Sequence, residues 1–143
     1  MSYKFEQLEV WRLALEYLDL IYAIAEQLPH TEEYNLRSQI VRAATSVVLN
    51  IAEGSTSQSD AEQARFLGLA IRSLVETVAC QHVIRRRGYL KDATPLSQAY
   101  QFSEKLFVKL QAFRAALTAE GGRPTTLYPI HDGTEPYELN PDA

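Results

Sequence analysis

Apolar residues recur at three- and four-residue spacing through four stretches of the chain, and that spacing predicts four helices. The first is expected from about Glu6 to Leu28, with Pro29 ending it. It carries two apolar seams. Leu8, Trp11, Leu15, Leu18, Tyr22 and Ala25 form one; Val10, Leu13, Tyr17, Leu20 and Ile24 form the other. Together they cover roughly 220° of the helix, against the ~100° stripe that an ordinary amphipathic helix needs. Only Glu9, Arg12, Glu16, Asp19 and Glu26 mark a wet edge.

Thr31, followed by Glu32 and Glu33, reads as the N-cap of a second helix that runs to Glu53. Leu36, Ile40, Ala44, Val47, Val48 and Ile51 are its buried stripe, and Gly54 is expected to stop it in the left-handed conformation. After the polar turn Ser55–Gln58, Ser59 and Glu62 have the spacing of a capping box. The third helix extends to about Arg87, with Gly88 as its stop. Phe66, Ala70, Ser73, Thr77 and Cys80 fall on one line of it, and small side chains there admit another helix closely. Thr94-Pro95 reads as an N-cap with proline in the first helical position. Leu96, Ala99, Leu106, Leu110, Phe113 and Leu117 then mark the fourth helix, ended by Gly121-Gly122.

No strand pattern or internal repeat competes with this reading. Short connections make successive helices antiparallel neighbours, so the expected fold is an all-α, up-down-up-down four-helix bundle over residues 1–120. Residues 121–143 carry Pro124, Pro129, Pro136 and Pro141 without periodicity, and an extended or disordered tail is expected there. A lone bundle would leave one seam of the first helix in water, at about 1.5–3 kcal/mol per large side chain. A homo-oligomer is therefore expected, with Val10, Leu13, Tyr17, Leu20 and Ile24 as its seam. The competing reading folds the N-terminal segment or the tail over that surface.

Charge adds little. The net charge is -4, but residues 1–36 hold two basic and seven acidic side chains, and residues 37–114 hold eleven basic and six acidic. The mildly basic middle is too weak to announce nucleic-acid binding by charge alone. Arg85-Arg86-Arg87 and Lys91 suit the end of the third helix through its dipole, or else contact phosphate. Arg37, Arg65, Arg72, Lys105 and Lys109 are candidate additions to such a surface. The lone cysteine, Cys80, permits no intrachain disulfide and reads as a buried thiol. The start of the chain does not read as a signal peptide, and the apolar runs look too short and charge-broken to span a bilayer. A cytoplasmic protein without membrane association is expected.

Catalytic constellations, phosphate-binding loops and metal spacings are not found. His30, His82 and His131 stand on different elements, with no Glu-x-x-His pair. No catalytic residue, metal or cofactor is expected. One polar feature stands out. Gln39, Arg42, Ser46, Asn50 and Glu53 lie on one stripe of the second helix, with Arg42 and Glu53 placed to bracket Ser46 and Asn50. The stripe reads as a network between helices or subunits, or as a groove for a polar ligand.

Several runs resemble a known family. They are Phe5-Glu6-Gln7-Leu8-Glu9-Val10-Trp11, Gln39-Ile40-Val41-Arg42-Ala43-Ala44-Thr45-Ser46 and, above all, Asn50-Ile51-Ala52-Glu53-Gly54, continued by Phe66-Leu67-Gly68-Leu69-Ala70 and Gly88-Tyr89-Leu90. Over about residues 3–118 the chain looks like the 23S rRNA intervening-sequence family. That resemblance implies a bacterial protein, a left-handed four-helix bundle and a homopentamer. It also implies kinship with accessory proteins of retroelements, basic pentamers that engage RNA and a reverse transcriptase. The acidic net charge and the proline-rich tail depart from that pattern. The function expected is a non-enzymatic oligomeric scaffold or adaptor. The alternative is an RNA- or nucleoprotein-binding accessory factor using basic residues of helices two to four, and an enzyme built on the polar stripe is the weakest reading.

Overall fold

The computed structural model describes residues 2–118; the expected proline-rich tail lies outside them. The described residues form four α-helices, α1 (Glu9–Ala25), α2 (Ser38–Gly54), α3 (Asp60–Arg87) and α4 (Thr94–Leu117), with no strand among them. Contacts run α1 to α2, α2 to α3, α3 to α4 and α4 back to α1, so each helix occupies one corner of a square. Side chains tie helix ends together. Arg114 Nε, late in α4, donates to the Ala64 carbonyl, early in α3, at 3.2 Å. Arg85 Nη2, late in α3, reaches Ser97 Oγ, early in α4, at 3.4 Å. Lys109 meets Glu9, at the start of α1, at 3.3 Å.

Tyr17, Ile21, Ile24, Ile40, Ile51, Leu67, Ile71, Leu74, Ile84, Leu96, Leu106 and Leu110 are fully buried on the axis. This corrects the expected oligomer seam. Val10, Leu13, Tyr17 and Ile24 lie in the core of the single chain, and Leu20 is half-buried against it. The other seam is also largely occupied: Leu8, Trp11, Leu15 and Leu18 are half-buried against the same core, while Tyr22 stays exposed. A 3-10 turn over Lys4–Gln7 supplies part of the cover, because Phe5 sets its ring edge-on to Trp11 at 4.8 Å. The competing reading set the N-terminal segment over the seam of Val10, Leu13, Tyr17, Leu20 and Ile24; its Phe5 lies instead against Trp11 of the other seam.

Helix ends depart from expectation in instructive ways. α1 stops at Ala25, before Pro29 is reached. Between α1 and α2 the chain makes a 3-10 turn over His30–Glu32 and a π turn over Glu33–Arg37. The cap there is Glu32, whose carboxylate accepts from Leu36 N at 3.4 Å, not Thr31. Gly54 has no positive φ; it remains helical. Its missing side chain serves packing instead, since a Cβ there would meet Phe66 Cβ at 2.9 Å. Ser59 does cap α3, accepting from Glu62 N at 3.1 Å, while the Glu62 carboxylate accepts from Gln58 N rather than Ser59 N. Gly88 ends α3 with φ 66°, the left-handed stop read from the sequence. At the head of α4, Asp92 accepts from both Thr94 N and Thr94 Oγ1, so Thr94 does not cap. These bonds hold the Asp92 carboxyl below the usual carboxylate range.

α3 corrects one further expectation: it is long and apolar enough to cross a membrane, by length and composition. Here 44% of that apolar window is buried inside the bundle. The buried residues of α3 include Gln63, Thr77 and Gln81.

Candidate interaction surface

The polar groups inside the bundle are spent on structure. Thr77 Oγ1 donates to the Leu74 carbonyl at 2.6 Å, so the Tyr17 hydroxyl donates to Thr77 Oγ1, also at 2.6 Å. Gln81 Nε2 donates to the same hydroxyl at 2.8 Å. A directed chain of bonds therefore ties α1 to α3 across the bundle. Burial raises the Tyr17 phenol well above its ordinary range, against the opposing effect of the Thr77 and Gln81 bonds. Cys80 is buried nearby and its thiol is pushed up to about 11, by burial first and then by the Glu76 carboxylate. A thiol so protonated is a poor nucleophile at neutral pH. Among the described residues no three His, Cys, Asp or Glu side chains gather as a metal site. A shallow pocket lined by Gln111, Arg114, Ala115 and Thr118 lies at the end of α4, with Arg114 held by the Ala64 carbonyl.

The polar stripe of α2 divides in two. Asn50 Nδ2 donates to the Ser46 carbonyl and to Ser46 Oγ, both at 2.9 Å, and Ser73 Oγ on α3 donates to Ser46 Oγ at 2.9 Å. That half is a network between helices, placed where Ala70 and Ser73 let α2 come close. Gln39 Nε2 turns to Asn35 Oδ1 at 2.8 Å. Arg42 and Glu53 do not bracket Ser46 and Asn50. Both stand exposed, Arg42 anchored only by Nε to the Ser38 carbonyl at 3.4 Å.

The candidate nucleic-acid contacts do not gather into one patch. Arg37, Arg85, Arg86, Arg87 and Lys91 lie at the end of the bundle where α3 finishes, and Lys109 lies at the other. Several are already engaged. Arg37 Nη2 donates to the Leu28 carbonyl at 3.2 Å, and Arg87 sits 5.9 Å from the Tyr89 ring centroid. Tyr89 OH donates to Glu32 at 2.7 Å, so an acid borders the same spot. Lys105 lies over the Phe102 ring and Arg65 over that of Phe66. Arg72, Arg86 and Lys91 are exposed, with no side-chain partner among the described residues.

What the periodicity did not announce is the outward side of α2. Seventeen residues carry two charges, Arg42 and Glu53. Between them Leu49 stands 55% exposed, and Val41, Thr45 and Ala52 are half-exposed. Arg42, Leu49 and Glu53 follow at seven and four residues, one face of the helix. The signal was legible as a shortage of charge rather than an excess of apolar residues.

These elements define a small all-helical bundle whose interior bonds tie α1 to α3, although Trp11 Nε1 and Gln81 Oε1 are buried without a partner among the described residues. The chain belongs to the 23S rRNA-intervening sequence protein family, whose pattern matches residues 6–116. No curated protein matches it.

Proposed function

We propose that the chain is a non-enzymatic homo-oligomeric scaffold or adaptor, an antiparallel, up-down-up-down, left-handed bundle that binds through its outer faces. The end-to-end ties of Arg114 to Ala64 and Arg85 to Ser97 support alternating helix directions. The family resemblance supports a ring of five copies. The observation that carries the reading is the outer face of α2, where Leu49 faces solvent on a helix with two charged residues. Bare apolar surface of this kind marks an interface. Sedimentation of the full chain at micromolar concentration tests it: a discrete assembly is expected, and a dispersed monomer overturns it.

A second reading, an accessory factor for RNA or nucleoprotein, draws on Arg72, Arg86 and Lys91, which keep their charge without partners among the described residues. A gel shift with structured RNA tests it. Binding that weakens steeply with salt is expected, and no binding at low salt removes it.

A further inference from the structure

We propose that α2 of one copy packs against the outer edge of α1 in the next copy, all copies pointing the same way, with Glu53 paired to Arg12 and Arg42 set between Asp19 and Glu26. The inference rests on the oligomeric reading above and names the faces that would make it.

The argument starts from the order of charges. The bond from Arg37 to the Leu28 carbonyl joins the end of α1 to the beginning of α2, so the start of α1 lies toward the end of α2. Read from that end, the outer line of α2 presents an acid, Glu53, and then a base, Arg42. The outer line of α1 presents a base, Arg12, and then acids, Glu16, Asp19 and Glu26, at four- and seven-residue spacing on one face. The two lines are opposite in sign in the same order. Their spans agree: Glu53 and Arg42 are about 16 Å apart along the axis, and Asp19 and Glu26 lie about 10 and 21 Å beyond Arg12. Arg42 therefore falls between the two acids when Glu53 meets Arg12.

These groups are available. Asp19, Glu26 and Glu53 have no side-chain partner among the described residues. Arg12 gives its Nε to the Glu6 carbonyl at 3.0 Å, and Arg42 gives its Nε to the Ser38 carbonyl. In each, the two terminal nitrogens have no partner among the described residues. By contrast Glu9, which flanks the same edge of α1, is taken by Lys109 within the chain. Leu49, between Arg42 and Glu53, falls level with Glu16, where the methylenes of Glu16 and Arg12 are the apolar surface it would cover; exposed ion pairs alone contribute little. α1 and α2 are neighbouring corners, so each copy is rotated relative to the last. Unlike faces repeated head to tail in this way close into a ring when the rotation per copy divides a full turn, and extend into a filament when it does not.

The test is a charge swap in the full chain, followed by sedimentation equilibrium at about 0.1 M salt, where surface charges are only partly screened. Circular dichroism checks that helix content is kept. R12E and E53R are each expected to raise the dissociation midpoint roughly tenfold or more, because like charges then face one another at every contact. R12E/E53R restores opposite signs and is expected to return near the wild-type midpoint. L49E, which sets an acid against Glu16 and Asp19, is expected to dissociate the assembly. If R12E and E53R keep the wild-type assembly, or if the double variant is no better than either single one, the pairing is overturned while the oligomeric reading stands. A monomeric wild type overturns both.

Discussion

α1 and α2 are each seventeen residues long and pack on the same core, yet their outer sides are opposite in character. α1 buries large side chains, Tyr17, Ile21 and Ile24 among them, and lines its wet edge with Arg12, Glu16, Asp19 and Glu26. α2 packs partly through small residues, Ala43, Ala44 and Gly54, which draw α3 close, and it leaves Leu49 outside with little charge around it. The helix with the larger apolar circumference is the better covered one. Its surplus is absorbed by bulky edges, Trp11, Leu15 and Leu18, and by the Phe5 turn. An apolar count along one helix overstates exposure where large side chains reach round to their neighbours; a lack of charged residues is the sharper sign of a bare face.

The comparison breaks most readily at a matched pair of truncations. Ile21→Ala in α1 removes a fully buried side chain and should cost about 2–5 kcal/mol. Leu49→Ala in α2 should change the stability of the single subunit by no more than about 0.5 kcal/mol, since most of that side chain already faces solvent. Urea unfolding under dissociating conditions measures both. Equal losses at the two positions would remove the distinction between a covered helix and a bare one.

The next effect lies in the bond chain across the bundle. Tyr17→Phe leaves Gln81 Nε2 buried without its acceptor, at a cost of about 1–3 kcal/mol. Adding Gln81→Leu removes the stranded donor and should recover part of that loss. If the double variant is less stable than Tyr17→Phe alone, packing rather than hydrogen bonding holds α1 to α3. Gly54→Ala follows. Overpacking against Phe66 Cβ opposes a gain in helix propensity of about 1 kcal/mol, so a net loss of up to about 2 kcal/mol is expected in thermal unfolding. A stabilised variant would mean that α2 and α3 have room to part.

The four helices and the Gly88 stop were legible because periodicity and capping chemistry are local. The small line from Phe66 to Cys80 also announced the close approach of α2, seen in the 2.9 Å bond between Ser73 and Ser46. The seam of α1 was misassigned because the helical wheel gives angle but not reach: Trp11 and Leu18 lie off the core direction and still bury against it. Gly54 was misread because a glycine after a helical run has two uses, a left-handed stop or a close contact, and only the neighbour decides. The bonds joining Tyr17 to Thr77 and Gln81 span sixty and more positions, so no local pattern carries them. Arg42 and Glu53 were placed correctly on one face, but bonded to the wrong neighbours.

The smallest expected effect concerns the joint where α1 passes into α2. Glu32 receives the Tyr89 hydroxyl at 2.7 Å and Asn35 Nδ2 at 3.0 Å, and these bonds, Tyr89 first, hold its carboxyl below the ordinary value. A carboxyl lowered in the folded state contributes stability above its unfolded pKa of about 4.3, and that contribution is lost as pH falls through the folded value. The site is exposed to solvent, so little global stability is at stake. What should change is local: as pH falls through the lowered Glu32 value the Tyr89 contact weakens, freeing the end of α3 from the π turn that leads into α2. Carbon-detected titration should place Glu32 below the ordinary carboxylate value, and Tyr89→Phe should bring it back up. A Glu32 that titrates at or above about 4.3 in the wild type would mean that the Tyr89 and Asn35 bonds do not hold this joint. The Arg37 bond to the Leu28 carbonyl would then be the polar tie left between the end of α1 and the start of α2.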